Sequence, residues 1–228
     1  MIKMKNVYKK YPNGVVASNG INIEIDRGEF VYVVGPSGAG KSTFIKMIYR
    51  EEVPTSGDIL FKNTNLAKLR QKQVPYFRRR IGVVFQDFKL LPMLNVYENV
   101  AFALEVIEES PENIRKKVNE VLGLVGLTKK ARMFPEELSG GEQQRVSIAR
   151  SIVNKPEVVI ADEPTGNLDP DTSWEIMKIL EKINTSGTTV IMATHNKEVV
   201  NAIRHRVIAI EGGIITRDEI GGDYGYES

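Results

Sequence analysis

The sequence predicts an α/β fold in which a mostly parallel sheet is flanked by helices. Four short runs are apolar enough to be strands buried on both of their faces. These runs are residues 30–34, 81–85, 158–161 and 188–193. Helix-compatible stretches follow the first run and fill most of residues 87–153. Ile21, Ile23 and Ile25 alternate with polar residues, which is typical of a strand with one exposed face.

Composition limits the classes of protein to which this chain can belong. Its 228 residues are 42% apolar and 26% charged, as expected of one large globular domain or a domain with an inserted lobe. The formal net charge of +2 argues neither for nor against a nucleic-acid partner. The sequence has no run of 18 apolar residues and no cysteine, so we expect no membrane span and a reducing compartment. We therefore expect a cytoplasmic protein.

A glycine-rich turn between the first apolar run and a helix predicts a phosphate-binding loop. Residues 35–42 match G-x-x-x-x-G-K-S in the strand–turn–helix context that this pattern requires, although a chance match is the alternative. Glycines let backbone N–H groups point at phosphates, and the helix N-terminus adds a partial positive charge. Lys41 is expected to reach the β- and γ-phosphates, and Ser42 to ligate Mg²⁺. The predicted nucleotide-binding residues are Gly35, Pro36, Ser37, Gly38, Ala39, Gly40, Lys41, Ser42 and Thr43.

Two acids directly follow the third apolar run. Asp162 and Glu163 stand at the carboxyl end of a predicted parallel strand, where ligands of open α/β sheets bind. We expect Asp162 to hold Mg²⁺ through the water shell of the ion, and Glu163 to orient or deprotonate an attacking water. Two acids in a surface loop are the alternative. Gln86 and His195 follow two other runs at the same edge, although each alone is as readily an ordinary loop or structural residue.

Two further features are ambiguous when each is taken singly. Ser139 and Glu142 form an S-x-x-E capping box, which predicts a helix N-terminus lined by Gly140 and Gly141. This N-terminus is either a second anion site or only a helix cap. Tyr11 lies in a turn between two predicted strands, where it either stacks on a nucleotide base or packs at a strand end.

Taken together, these residues resemble the ATP-binding cassette (ABC) ATPases along essentially the whole chain. Several motifs stand in the order typical of that family. The most specific is the signature heptad Leu138-Ser139-Gly140-Gly141-Glu142-Gln143-Gln144. The others are the phosphate loop at 35–42, Gln86, the pair Asp162-Glu163, the run Asn167-Leu168-Asp169, and His195.

The resemblance implies a P-loop NTPase core of the RecA-like type, with an N-terminal antiparallel β subdomain and an inserted α-helical subdomain that carries the signature. Residues 1–228 would form a single ABC nucleotide-binding domain. Its core with the antiparallel β subdomain would comprise 1–86 and 154–220, and the helical subdomain about 87–153. Residues 221–228 lack a core-forming pattern and are expected to form a flexible tail.

The resemblance also implies how ATP and Mg²⁺ would be bound. Tyr11 would stack on adenine, and the phosphate loop would hold the phosphates. Ser42 and Gln86 would ligate Mg²⁺, with Asp162 contacting the waters around the ion. Gln86 would also belong to the catalytic residues.

For hydrolysis, the resemblance implies a site shared between two subunits. Glu163 would be the catalytic carboxylate, and His195 would hold the γ-phosphate and the attacking water. Ser139 and Gly141 would close over the γ-phosphate bound by the other subunit of a head-to-tail homodimer, with Asp169 at that interface. ATP binding would close the dimer and hydrolysis would release it.

The motion of such a dimer is expected to be passed to an integral membrane protein. In the family, a cytoplasmic helix of the membrane partner docks in a groove between the core and the helical subdomain. Phe88, Leu90, Leu91, Val96 and Tyr97 would line that groove if they are exposed, whereas burial within the helical subdomain is the equal alternative. The chain would then lie peripherally on the inner face of the plasma membrane.

Within the family, residues 74–82, 85–91 and 162–169 are most similar to a branch that acts in cell division. Such an ATPase drives a membrane partner that regulates extracellular peptidoglycan hydrolases. The alternatives are the motor of a transporter for lipoprotein extraction or macrolide efflux, a nucleotide-gated clamp, and a DNA-handling cassette. Glu163 argues against a clamp that scarcely hydrolyses ATP. A DNA-handling cassette usually has a long coiled-coil insertion or two cassettes in one chain, and this sequence shows neither, so no nucleic-acid partner is expected.

Overall fold

The computed structural model describes residues 1–225 and contains ten strands and seven α-helices within them. In chain order the strands are β1 (Ile2–Lys10), β2 (Val16–Ile25), β3 (Phe30–Val34), β4 (Ser56–Phe61), β5 (Thr64–Asn65), β6 (Ile81–Val84), β7 (Val158–Asp162), β8 (Thr189–Ala193), β9 (Arg206–Glu211) and β10 (Ile214–Glu219). The helices are α1 (Lys41–Ile48), α2 (Val74–Arg78), α3 (Val96–Glu105), α4 (Pro111–Leu124), α5 (Gly140–Ile152), α6 (Pro170–Thr185) and α7 (Lys197–Ala202).

The larger sheet is mostly parallel, as the sequence predicts. Its strand order is β10-β9-β3-β8-β7-β6, and every neighbouring pair is parallel except the hairpin formed by β9 and β10. The parallel strands are buried on both faces, as β3 illustrates. Val31 and Val33 belong to one hydrophobic core, whereas Tyr32 and Val34 belong to the other. Strands covered on both faces are apolar at successive positions, which is why the apolar runs predicted them correctly.

A smaller antiparallel sheet, with the order β2-β1-β4-β5, covers one face of the larger sheet. The core between the two sheets includes Ile21 of β2, Phe44 of α1 and Val31 of β3. A backbone hydrogen bond of 2.8 Å from Asn19 to the Gly213 carbonyl also joins β2 to the hairpin of the larger sheet. The N-terminal antiparallel sheet predicted from the resemblance is therefore present.

Helices α3, α4 and α5 lie between β6 and β7 in the sequence and cover the other face of the larger sheet. Val100, Leu122 and Ile148 of these helices share a core with Val159 of β7. The side chain of Ser110 caps α4 by accepting a hydrogen bond from the backbone of Asn113. A separate helical subdomain at about 87–153 stays a prediction. Among the described residues, no helix has both the length and the apolar character needed to cross a membrane.

The expectation of a flexible tail is wrong for residues 221–225. Tyr224 is only 6% exposed and belongs to the core on the helical face of the sheet. Arg217 donates hydrogen bonds of 2.7 Å to the carbonyls of both Asp223 and Tyr224. A buried aromatic ring and an arginine hold this segment in place. Because a single ring forms no apolar repeat, the sequence of the segment shows no core-forming pattern. The rest of the predicted tail, 226–228, lies outside the described residues.

Candidate active site

Four neighbouring parallel strands bring the predicted site residues to one edge of the larger sheet. β3 leads into the phosphate loop, β6 leads to Gln86, β7 ends at Asp162, and β8 is followed within two residues by His195. The register keeps these ends level, because Ala193 of β8 pairs with both Asp162 and Val33. Side chains from four separate parts of the sequence therefore meet at this edge, as is typical of ligand sites in open α/β sheets.

The phosphate loop requires glycine at two positions for steric reasons. Gly35 has a φ of 145°, and a Cβ there would lie 2.1 Å from the carbonyl oxygen of Ile210. Gly40 has a φ of 105°, and a Cβ there would lie 2.2 Å from the carbonyl oxygen of Ala17. Because L-residues rarely adopt either φ and a side chain would collide with the backbone, only glycine fits. α1 begins at Lys41, so the turn closes directly on a helix N-terminus.

The ammonium group of Lys41 lies over its own loop. Its Nζ donates hydrogen bonds of 2.7 Å to the Gly35 carbonyl and 3.0 Å to the Pro36 carbonyl. Ala39 is buried, and its carbonyl accepts a hydrogen bond from the backbone of Gly213. The exposed members of the loop, which are available to a ligand, are Pro36, Ser37, Gly38 and Ser42.

Tyr11 lies beside the phosphate loop although it is far from it in sequence. Its hydroxyl oxygen is 3.1 Å from Oγ1 of Thr43, the third residue of α1. The Nζ of Lys9 lies 4.9 Å from the ring centroid. A half-buried ring at this distance from a phosphate loop is suitably placed to stack on a base.

Glu163 and His195 form the closest contact between the loops after β7 and β8. The Nδ1 atom of His195 is 2.8 Å from Oε2 of Glu163, and the backbone N–H of His195 donates to the same oxygen at 3.2 Å. The Glu163 side chain is 16% exposed, whereas the imidazole is 64% exposed. Glu163 has a φ of 49°, a left-handed conformation that costs about 1–3 kcal/mol for a non-glycine residue. Such strain is typical of residues whose position serves function.

Asp162 is a carboxylate without an ion pair among the described residues. Burial and the adjacent charge of Glu163 raise its pKa, and the cations Lys46 and Lys41 partly oppose that effect. An unpaired, half-buried carboxylate is costly in the free protein, which favours a site that gains a cation when its ligand binds.

Gln86 is held by reciprocal amide contacts with Asn167. Gln86 Nε2 donates to Asn167 Oδ1 at 3.3 Å, and Asn167 Nδ2 donates to the Gln86 carbonyl at 3.3 Å. Gln86, Asp162 and Lys46 line one cleft of about 570 Å³. The Gln86 amide oxygen, the Asp162 carboxylate and the exposed hydroxyl of Ser42 are hard oxygen donors of the type that Mg²⁺ prefers, so this donor set fits that ion.

The signature residues lie at the N-terminus of α5. Ser139 caps the helix by accepting from the backbone of Glu142 at 3.3 Å, and Glu142 completes the predicted capping box. A Cβ on Gly141 would lie 2.2 Å from Cγ2 of Thr172, so glycine is required there. Asp169 caps α6 and accepts from both the backbone and the hydroxyl of Thr172, and these contacts lower the pKa of Asp169. Gly141 and Asp169 are therefore neighbours.

The signature and the phosphate loop are separate within one chain. In the part of the chain that the structure describes, no hydrogen bond or ion pair joins residues 35–43 to residues 138–144. α5 packs on β6 at the edge of the sheet, three strand spacings or about 14 Å from β3. The structure thus brings the predicted residues together in two groups rather than one.

A second cleft of about 490 Å³ lies between the sheet and the helices that follow β6. Of the five residues predicted to line a partner groove, Leu91 lines this cleft. Val96 is 1% exposed, so burial is the correct alternative for it, whereas Leu90 and Tyr97 are half-buried and pack against the core. The fifth, Phe88, is half-buried and does not line the cleft. The lining side chains include Arg78, Arg79, Phe85, Lys89 and Phe102.

Comparison with known proteins assigns this arrangement to a family. Residues 18–166, more than half of the chain, match the family described as ABC transporter. The chain belongs to the ABC transporter family. As a member of this family of ATPases, the chain binds nucleotide and hydrolyses ATP. The resemblance inferred from the motifs is confirmed.

Relatives of this ABC protein match it along its length. The cell division ATP-binding protein FtsE of Bacillus subtilis is 72% identical over 225 residues, which cover 99% of each chain. FtsE of Streptococcus pneumoniae is 60% identical over 227 residues, covering 100% of this chain and 99% of the relative. A solved structure of a dimeric ATP-binding cassette, in a post-hydrolysis state bound to ADP and Pi, is 39% identical with a TM-score of 0.87. That match covers 97% of this chain and 99% of the other.

Two residues of the ABC site were not predicted from the sequence. Lys46 acts electrostatically on Asp162 and lines the same cleft, and its position four residues after Ser42 on α1 could have indicated a shared helix face. Arg150 of α5 donates to the carbonyls of Phe88 and Lys89 at 3.0 and 2.7 Å. Both of those residues have positive φ, so Arg150 stabilises a strained segment close to Gln86. No sequence pattern indicates such a long-range contact with backbone.

The variant Asp162→Asn is expected to raise the thermal unfolding midpoint of the nucleotide-free protein at pH 7. Because the pKa of Asp162 is raised in the folded state, the fold is most stable, with respect to this group, below the ordinary pKa of aspartate. The wild-type protein loses this stability as the pH rises through the folded-state pKa of Asp162 and the carboxyl becomes charged. The Asp162→Asn variant keeps it, because its amide stays neutral. The gain should therefore be present at pH 7 and shrink as the pH falls towards about 4.

Differential scanning fluorimetry at several pH values measures this difference. Asp171→Asn, which changes an exposed aspartate in the first turn of α6, is the matched control and should give no gain. An unchanged or lower midpoint for Asp162→Asn at pH 7 would contradict the assignment of Asp162 as a destabilising carboxylate.

Proposed function

We propose that this ATPase acts in cell division, where it closes on ATP and Mg²⁺ as a head-to-tail homodimer and drives an integral membrane protein similar to FtsX. The observation that carries the proposal is the 72% identity, over nearly the whole chain, with a protein named for cell division. In this proposal the protein lies on the inner face of the plasma membrane. It regulates extracellular peptidoglycan hydrolases indirectly, through the membrane partner.

ATP binding begins at the phosphate loop. The adenine stacks on Tyr11, and the phosphates occupy the loop between Gly35 and the start of α1. Lys41 then exchanges its contacts with the loop carbonyls for phosphate oxygens, a better partner for an ammonium group. Ser42 and Gln86 would hold Mg²⁺, and Asp162 would interact with the ion through water. When bound, this ion neutralises charge on the β- and γ-phosphates during transfer.

Glu163 and His195 serve the attack of water on the γ-phosphate. Glu163 accepts a hydrogen bond from the attacking water and takes its proton as the new P–O bond forms, while the bond between the γ-phosphorus and the bridging oxygen breaks and ADP leaves. The Nδ1 contact with Glu163 fixes the imidazole of His195 and leaves its Nε2 on the opposite side of the ring. In the imidazolium form, in which Nδ1 donates to the Glu163 carboxylate, Nε2 also carries a proton and donates it in a hydrogen bond to a γ-phosphate oxygen, so one residue connects the base to the reacting phosphate.

The second subunit completes the site in this proposal. A phosphate loop on an open sheet edge leaves the γ-phosphate in contact with water. The N-terminus of α5 from the other subunit presents Ser139 and the backbone of Gly141, with a partial positive charge, to that phosphate. The separation of signature and phosphate loop within one chain supports a site assembled between chains. The dimeric state of the cassette structure reported above also supports it.

The cleft lined by Leu91 and Phe102 is the proposed docking groove for a cytoplasmic helix of the membrane partner. Phe85 and Lys89, on either side of Gln86 in the sequence, line this groove. They also line the cleft of about 570 Å³ that contains Gln86 and Asp162. A helix that moves in the groove therefore acts directly on the segment that carries Gln86. Arg150 transmits the same motion to α5, because it binds the backbone of that segment.

The variant Glu163→Gln is expected to lower the ATP turnover of the purified protein by about 100-fold or more, because it removes the proton acceptor. It should leave ATP binding intact, so that the closed dimer accumulates. Phosphate release and light scattering with ATP measure the two effects. The control Glu112→Gln changes an exposed acid at the start of α4 and should leave both unchanged. Wild-type turnover in Glu163→Gln would overturn the catalytic assignment.

Capture of membrane proteins tests the cell-division part of the proposal. Glu163→Gln with ATP should retain its partner from detergent-solubilised membranes, whereas the same variant without ATP should retain less. Recovery of an FtsX-like membrane protein, together with division defects on its depletion, would support the proposal. Recovery of a permease with a substrate pathway would instead make the chain a transport motor, the second function that its family description favours.

A further inference from the structure

The segment that follows β10 is held firmly although it was expected to be loose. We call residues 222–225 the C-terminal strap. Arg217 of β10 donates to the carbonyls of Asp223 and Tyr224, and its Nη1 lies 3.2 Å from Oδ1 of Asp223. The Tyr224 ring is buried in the core on the helical face of the sheet. The strap is thus attached to the sheet through β10 and to the core through one ring.

The strap also contacts α7, near both ends of that helix. The backbone N–H of Tyr224 donates to Oδ1 of Asn201 at 2.8 Å, near the end of the helix. The Nζ of Lys197, the first residue of α7, lies 5.7 Å from the centroid of the Tyr224 ring. α7 has only six residues, too few to be stable alone, so its position depends on such contacts.

α7 in turn determines where His195 lies. Asn196 caps α7 by accepting a hydrogen bond from the Val199 backbone at 3.1 Å, and it directly follows His195. Val199 and Val200 anchor the helix in the core on one side, and the strap holds it on another. A shift of α7 therefore moves the backbone at Asn196 and, with it, both contacts between His195 and Glu163.

Electrostatics agree with this placement. Burial and, secondarily, the charge of Glu163 raise the pKa of Tyr224. The phenol ring is therefore close enough to the Glu163 carboxylate to be affected by its field.

We propose that Tyr224 is a positioning residue for ATP hydrolysis: its ring holds the C-terminal strap against α7 and thereby keeps His195 on Glu163. The proposal rests on the roles proposed above for His195 and Glu163. Tyr224 is buried in the core, so in this proposal it acts through α7 and not by contact with the nucleotide. Loosening the strap should therefore impair the chemical step and leave nucleotide binding nearly intact.

The test compares variants of the full-length protein. Tyr224→Ala removes the ring, Tyr224→Phe keeps it, and Asn201→Ala removes only the contact with the strap backbone. Val118→Ala is the control for general loss of stability, because Val118 is fully buried in α4 and not in α7. Asn201→Ala changes an exposed residue, so the comparison remains available if Tyr224→Ala fails to fold.

The expected result for Tyr224→Ala is a kcat lowered by about tenfold or more, with a KM for ATP within about twofold of wild type. Asn201→Ala should show a smaller fall, and Tyr224→Phe should retain most of the kcat. Val118→Ala should lower the unfolding midpoint without a comparable fall in kcat.

The NMR chemical shifts of the histidine rings provide a measurement that a general loss of stability does not change. The chain contains two histidines, His195 and His205, so the signals can be assigned with His195→Gln alone. The His195 signal should shift in Tyr224→Ala. The His205 signal should stay, because that ring stacks on Phe30 and contacts Glu181.

An unchanged kcat and an unchanged His195 signal in Tyr224→Ala would overturn the inference. An equal loss of kcat in Val118→Ala or in Tyr224→Phe would also overturn it. His195→Gln separates this failure from failure of the proposed function. If His195→Gln stops turnover while Tyr224→Ala does not, only the inference is wrong. If His195→Gln keeps full turnover, the role proposed for His195 is itself wrong.

Discussion

The parallel pairing of five strands is the constraint on which the rest of this structure depends. Because the strands run in one direction and stay in register, their carboxyl ends form one edge. The phosphate loop, Gln86, Asp162 and His195 come from widely separated parts of the sequence and meet only there. The antiparallel sheet and the helices cover the two faces of the larger sheet, and the two cores that they form hold its strands in place. A slip of one residue in any strand would move its site residue away from the others.

Several residues at this edge of the sheet have a backbone conformation or a burial that lowers the stability of the fold. Glu163 has a left-handed backbone, Asp162 is a carboxylate whose burial raises its pKa, and Phe88 and Lys89 near Gln86 both have positive φ. The surrounding contacts hold these conformations, among them the hydrogen bonds from Arg150 to the backbone and from His195 to Glu163. Local strain of this kind is typical of functional sites. It is consistent with the proposal that these residues change their contacts when nucleotide binds and a second subunit closes on the site.

Sequence patterns predicted the parts of the structure that follow from local chemistry. Alternation and apolar runs predicted β2, β3, β6, β7 and β8, and the S-x-x-E box predicted the start of α5. The glycine pattern predicted the phosphate loop, in which only glycine fits at positions 35 and 40. Long-range contacts could not be predicted in this way. The burial of Tyr224 cannot be predicted from the sequence, because a single buried ring leaves no periodic pattern. For Val96 the sequence leaves exposure and burial equally open, and the structure shows that it is buried. The contact between Gly141 and Thr172 likewise depends on how α5 meets α6, which no local pattern records.

We propose that each hydrolysis site takes its phosphate loop from one subunit and its signature from the other. Mixing Lys41→Ala with Ser139→Arg tests it most directly, because each variant alone lacks a different half of every site. We expect that neither variant alone hydrolyses ATP. If the subunits pair at random and the sites act independently, an equal mixture should regain about a quarter of the wild-type turnover, since each mixed dimer keeps one intact site. No recovery on mixing, or full activity of Ser139→Arg alone, would contradict the shared site.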